Sequence, residues 1–211
     1  MGINFGSMST TPAAGGITEV NTGSGIVLDL SKGSLLDLTK REPGLKNIII
    51  GAGWDANDSV PAFDLDVSAF ALNSNMKISS GADVIFFNNK TVPGVALQGD
   101  NTTGSGEGDD EQIFVTLDAV NPSVMAIDIV INIYEAQQRR QTFGMVKNSY
   151  IRIVNKDTGN EIGRYRLKED FGSSTAVIAG RLKRDGADWQ FEAIGEGKVV
   201  SSLNDIAALY M

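Results

Sequence analysis

The chain has 211 residues, with 18 Lys and Arg against 26 Asp and Glu, no His and no Cys, giving a net charge of −8. That composition excludes disulfides, thiolate or imidazole metal sites, and Ser–His or Cys–His nucleophilic dyads. The acidic balance argues against direct binding to nucleic acid or an anionic membrane surface, and no apolar run approaches the ~20 residues that span a bilayer.

In chain order, Met1 to Ser7 reads as an expression scar ahead of Met8, and Ser9 to Ser24 as a flexible lead-in of Thr, Ala and Gly. Residues 1–25 are therefore set apart, and one globular domain is predicted over 26–211. No basic region followed by an apolar stretch marks export, so the expected compartment is the cytoplasm. Leu28-Asp29-Leu30-Ser31-Lys32 is echoed by Leu36-Asp37-Leu38-Thr39-Lys40, with Gly33-Ser34 between them, which predicts a hairpin. Asn47 to Ala52 reads as a buried strand. Phe63 to Leu72 follows as a strand in which Leu65, Val67, Ala69 and Ala71 alternate with Asp64, Asp66, Ser68 and Phe70. Period two places Asp64 and Asp66 on one face, roughly 6.6 Å apart along the strand.

Asp83 to Phe87 is a further strand, and then comes Gly99 to Glu111. This stretch holds Asp100, Glu107, Asp109, Asp110 and Glu111 with four glycines and no basic or apolar side chain. Carboxylates held 5 to 6 Å apart repel by roughly 3 kcal/mol per pair at an effective dielectric near 20. If ordered, such a loop wants a cation; if disordered, it spreads its charges and needs none. Hard divalent ions take oxygen ligands, and glycine lets backbone carbonyls join the carboxylates. The first reading is a calcium site. It is no EF-hand, because counting from Asp100 puts Thr102 at position 3 and Gly104 at position 5. Nor is it a phosphate cradle, because Gly108 is followed by Asp109, Asp110 and Glu111 where Lys and Ser or Thr belong.

Gln112 to Leu117 leads out of the loop as a strand. Ile127 to Tyr134 carries the clearest period-two signal, with four isoleucines on one face. Gln137 to Thr142 reads as a polar connection with one or two helical turns. Strands are predicted over Ser149 to Val154, Glu161 to Leu167, Ser174 to Leu182 and Asp188 to Ile194, with a turn at Lys156 to Asn160. Ser201 to Tyr210 has helical spacing. The sum is an all-β fold, a sandwich of two antiparallel sheets with a few short helices, including a C-terminal one.

Several segments together resemble the tellurium-resistance TerD family. They are Leu30-Ser31-Lys32-Gly33, Pro43-Gly44-Leu45-Lys46, Gly51-Ala52-Gly53-Trp54-Asp55, Asp64 to Phe70, the acidic loop, Gln141 to Gly144, Tyr150 to Arg152 and Trp189 to Gly195. The resemblance implies a calcium-binding β-sandwich that is not an enzyme and acts in bacterial stress responses, tellurite resistance among them. Carried over by position, the metal residues are Asp64, Asp66, Asp100, Asn101, Gly106, Glu107, Gly108, Asp109, Asp110 and Glu111. Seven acidic groups exceed what one ion needs, which suits two adjacent calcium ions. Asp55 ranks second, as a ligand or a turn cap. The partners implied are other, unidentified stress-response proteins, with at most a peripheral association with membranes.

Two other functions compete. A calcium-dependent lipid- or carbohydrate-binding sandwich also gathers aspartates on its end loops, but it usually sets basic or aromatic side chains beside them, and this loop has none. A glycosidase-like carboxylate pair would want an aromatic-lined cleft, and aromatic residues make up only 7% of the chain. Trp54 and Trp189 read as core residues. Arg152 alternates with Tyr150 on a strand face beside some acid, and the sequence assigns it no function.

Overall fold

The computed structural model describes residues 16–22, 26–55, 63–98, 108–169 and 171–211. Fourteen strands run through them: β1 (Ile17–Asn21), β2 (Ile26–Leu30), β3 (Leu35–Asp37), β4 (Asn47–Asp55), β5 (Leu65–Leu72), β6 (Val84–Ile85), β7 (Thr91–Val92), β8 (Val95–Gln98), β9 (Glu111–Thr116), β10 (Ala126–Ile133), β11 (Lys147–Asn155), β12 (Glu161–Arg166), β13 (Ala176–Asp185) and β14 (Asp188–Lys198). The helices are short: α1 (Leu38–Arg41), α2 (Ala136–Arg139) and α3 (Leu203–Ala207). An eight-stranded sheet has the order β1-β2-β12-β11-β4-β9-β8-β7, and a six-stranded sheet the order β3-β14-β13-β10-β5-β6. Among the described strands, only β12 and β2 pair in parallel.

Alternation builds the core between the sheets. Ile127, Ile129, Ile131 and Ile133 of β10 all face inward, opposite Ile48, Ile50, Ala52 and Trp54 of β4. Burying one such isoleucine contributes about 1.5–3 kcal/mol. Trp189 belongs to the same core, and the Arg184 guanidinium lies 4.5 Å from its ring centroid.

The outer face of the six-stranded sheet carries a second apolar cluster. Phe70, Leu72, Val130 and Ile178 meet Ile206 and Tyr210 of the C-terminal segment, with Phe70 and Tyr210 stacked 5.0 Å apart. The predicted C-terminal helix is found, opened by Ser202, whose side chain accepts from Asp205 N–H in a capping box.

Two local expectations are corrected, and one hairpin is added. The two Leu-Asp-Leu echoes do not pair: β2 lies in the eight-stranded sheet, β3 in the six-stranded sheet against β14. Gly33, at φ +82°, turns the chain from one layer to the other, and its N–H donates to Ala193 O at 2.7 Å. Leu28 and Leu36 thus reach the same core from opposite sheets. Within the lead-in, Ile17–Asn21 forms a strand paired along the whole of β2. Finally, Pro93-Gly94 closes a hairpin of β7 with β8 that its short strands had hidden; Gly94 takes φ +78° there.

Candidate metal centre

The acidic segment enters the fold where β4 ends. Glu111 pairs with Ala52 in the ladder, and just before it Asp110 N–H donates to Ala52 O at 2.8 Å. The Asp110 carboxylate then accepts the Trp54 N–H at 3.0 Å. One side chain at this corner therefore continues the β4 ladder where Gly108 to Asp110 has no strand pairing of its own.

Alternation sends Glu111 inward and Asp109 outward. Glu111 is buried, 4% exposed, and its Oε2 accepts the Val67 N–H at 2.6 Å. Val67 lies in the other sheet, on a stretch of β5 that β6 leaves unpaired because it reaches only Ala69 and Phe70. A buried carboxylate is stabilised only with its hydrogen bonds made, and this one joins the two layers. It also ties the end of the acidic loop to the strand that carries Asp64 and Asp66. Asp66 lies on the outer face of that strand, where its Oδ2 accepts from Asn132 Nδ2 at 3.4 Å. Asp64 lies 3.5 Å from Arg139 Nη2, and its carbonyl accepts the Tyr134 N–H at 2.8 Å.

Asp109 has different surroundings. Its carboxylate has no exposed surface and meets Arg152 through two bonds, Nε to Oδ1 at 2.7 Å and Nη2 to Oδ2 at 3.0 Å. Gln112 Nε2 at 3.0 Å and the Tyr150 hydroxyl at 3.3 Å complete the cage, and Tyr150 also donates to Gly108 O at 2.9 Å. Glycine makes the room. Gly51 faces Arg152 and Gly53 faces Tyr150 across the β4–β11 ladder. A Cβ on Gly51 would stand 2.1 Å from Asp109 Oδ2, and one on Gly53 2.5 Å from the Tyr150 ring.

A charge network extends outward from there. Glu161 bonds Arg152 at 3.1 Å and Arg164 at 2.7 Å, while the Arg164 guanidinium covers the Tyr150 ring at 4.5 Å. The bond to Asp109 raises the Arg152 pKa despite burial. Burial alone would raise Glu161, but bonds and charge from Arg164 and Arg152 outweigh it and hold the carboxyl below its ordinary value. Burial, then the Asp109 charge, raises the Tyr150 hydroxyl.

Of the ten residues assigned to metal from the sequence, six are described: Asp64, Asp66, Gly108, Asp109, Asp110 and Glu111. Asp100, Asn101, Gly106 and Glu107 lie outside the described residues. The six lie on segments tied together by the Glu111–Val67 bond but on different faces, with Asp109 on the outer face of the eight-stranded sheet, Glu111 between the layers and Asp64 and Asp66 on the far side of β5. Among the described residues no three carboxylates gather tightly enough to hold an ion. The donor set is nonetheless all oxygen, which suits a hard cation. Asp55 is bonded by Asn148 Nδ2 at 2.5 Å, on β11 beside it. Sequence reasoning missed Arg152 and Tyr150 as residues that fix the loop. Their signal was the pair of glycines two apart on β4, and it becomes readable only with the register.

A model of the TerD domain matches residues 26–210. The tellurium resistance protein TerD of Serratia marcescens is 44% identical over 186 residues, covering 87% of this chain and 96% of that protein. General stress protein 16U of Bacillus subtilis is 46% identical over 176 residues, covering 82% and 91%. In the solved structures, a homologue of telluride resistance protein TerD from Streptomyces coelicolor superposes with a TM-score of 0.62 at 20% identity, over 80% of this chain and 99% of that one. That last likeness concerns the fold; the family rests on the other matches. With the acidic segment, the Gly-Trp-Asp strand end and the Asp64–Asp66 strand all in place, the chain belongs to the TerD domain family.

Proposed function

We propose that this TerD-family protein binds calcium at the acidic end of the sandwich and acts in the cytoplasm as a non-enzymatic stress-response protein. The observation that carries this reading is the Glu111–Val67 bond, which fastens the acidic loop to the Asp64–Asp66 strand across 44 residues of sequence. Two acid-bearing segments held this close attract a hard cation, and the chain offers it oxygen and no softer ligand. Asp109, held by Arg152, positions the loop. The ligating set then falls on Asp64, Asp66, Asp110 and Glu111, with Asp100, Asn101, Gly106 and Glu107 supplying the remaining oxygens for two ions. Names of relatives, tellurium resistance and general stress, support the wider function. Calcium closes the loop over the strand, and the closed face is the surface that a protein partner reads. No described helix is long and apolar enough to cross a membrane.

Thermal unfolding tests this. A ligand at about a hundred times its Kd adds ~2.7 kcal/mol, or roughly 5–10 °C for a chain of this size. Calcium should raise the melting temperature of the chelator-treated protein by that much and magnesium by far less. Asp66→Ala should remove the increment while hardly changing the melting temperature in chelator. Equal losses in both conditions would refute the reading.

A further inference from the structure

On the outer face of the six-stranded sheet, the C-terminal segment and the chain before β6 leave a cleft of about 740 Å³ between them. Its mouth is aromatic. Phe86 and Phe87 meet edge to face at 5.3 Å, with Phe87 41% and Tyr134 39% exposed. Asp66 and Glu135 also line it, and among the described residues no Lys or Arg does. Two of its amide donors are already engaged, Asn132 Nδ2 by Asp66 at 3.4 Å and Gln137 Nε2 by Ser201 Oγ at 2.7 Å. Asn132 Oδ1 is buried beside Asp66 with no hydrogen-bond partner among the described residues, so the negative end of its dipole adds to the carboxylate field.

We propose that this cleft binds an amphipathic organic cation, an apolar or aromatic body bearing an ammonium or guanidinium head. The assignment is one of charge and shape. Apolar walls of this volume hold a small organic body, and aromatic rings attract a cation through their faces. The carboxylates Asp66, Glu135 and Asp64 outnumber the one guanidinium at the rim, Arg139, which favours positive over negative heads. The rim already displays this recognition once: the Arg139 guanidinium lies 5.2 Å from the Tyr134 ring centroid, 3.7 Å from Glu135 and 3.5 Å from Asp64. Asp66 lines the cleft and also belongs to the proposed calcium set, so the cleft is tested with calcium removed, where no ion competes for that carboxylate.

The test is a protein NMR titration of the full chain in excess chelator with 2-phenylethylammonium, beside neutral 2-phenylethanol and anionic 3-phenylpropionate. The ammonium should shift the backbone amides of Phe87, Asn132, Tyr134 and Leu203 saturably, binding at least about threefold more tightly than the alcohol. Phe87→Ala and Glu135→Gln, both at exposed side chains that leave the core intact, should each weaken it by about threefold. Equal affinity for all three probes, preference for the anion, or shifts that avoid the cleft would overturn the proposal.

Discussion

Asp109 and Asp128 are both side chains with no exposed surface, and each meets an arginine through two nitrogen–oxygen bonds. Asp128, on the outer face of β10, is bonded by Arg181 at 2.5 and 2.8 Å and by the Tyr210 hydroxyl at 2.7 Å. That clamp holds the C-terminal segment down on an apolar cluster, with Glu192 across the ladder from Arg181. Asp109 sits instead one residue from Asp110 and two from Glu111, over a glycine, at the open end of the sandwich. The same ion pair therefore serves two ends. At Asp128 it closes a surface; at Asp109 it fixes where a charged loop begins.

The two pairs should respond differently when broken. Arg181→Ala leaves a buried carboxylate with one hydroxyl partner, a loss of about 3 kcal/mol or more, or ~10 °C in melting temperature. The loss should be the same in calcium and in chelator. Arg152→Ala should cost less, because Gln112 and Tyr150 still bond Asp109. Its deficit should shrink in calcium, since the ion replaces positive charge lost beside the loop. Melting curves of both variants under both conditions measure the contrast directly.

Gly51→Ala sharpens the comparison without removing any charge. The new methyl occupies the place of the Asp109 carboxylate, so stability should fall by about 1–3 kcal/mol and calcium affinity with it. Titration calorimetry beside a melting curve reads both effects. A smaller effect belongs to Tyr210. Burial, then the Asp128 charge, raises its pKa above the ordinary 10.0. A hydroxyl that keeps its proton more tightly when folded stabilises fully below about pH 10 and loses that contribution as pH rises toward its folded value. Tyr210→Phe should cost ~1 kcal/mol at neutral pH and flatten the alkaline fall in stability. The acid limb should be gentler still: Glu161, held low by its arginines, contributes above its unfolded value near 4.5 and loses that as pH falls.

Much of the sandwich was legible because its signals are local. Four isoleucines at period two place β10 in the core whatever its neighbours are, and Leu203, Ile206, Ala207 and Tyr210 at helical spacing mark the C-terminal helix. What escaped depends on pairing at a distance. The Leu28 and Leu36 echoes look like hairpin arms, and only the turn at Gly33 between layers separates them. Nothing local in the sequence singles out Asp128, which Arg181 and Tyr210, 53 and 82 residues away, bury. The acidic site was legible in composition, as carboxylates and glycines crowded together. Its division was not: Asp109 goes to Arg152 and Glu111 to Val67 because alternation along β9 turns neighbouring acids to opposite faces.

Calorimetric titration of the chelator-treated protein with calcium, beside magnesium and beside Glu111→Gln, tests the central claim most directly. The expected result is saturable calcium binding near two ions per chain, much weaker magnesium binding, and a clear loss of calcium affinity in the variant. Absence of calcium binding in the folded wild-type protein would contradict the account and leave the Glu111–Val67 bond a purely structural tie between the sheets.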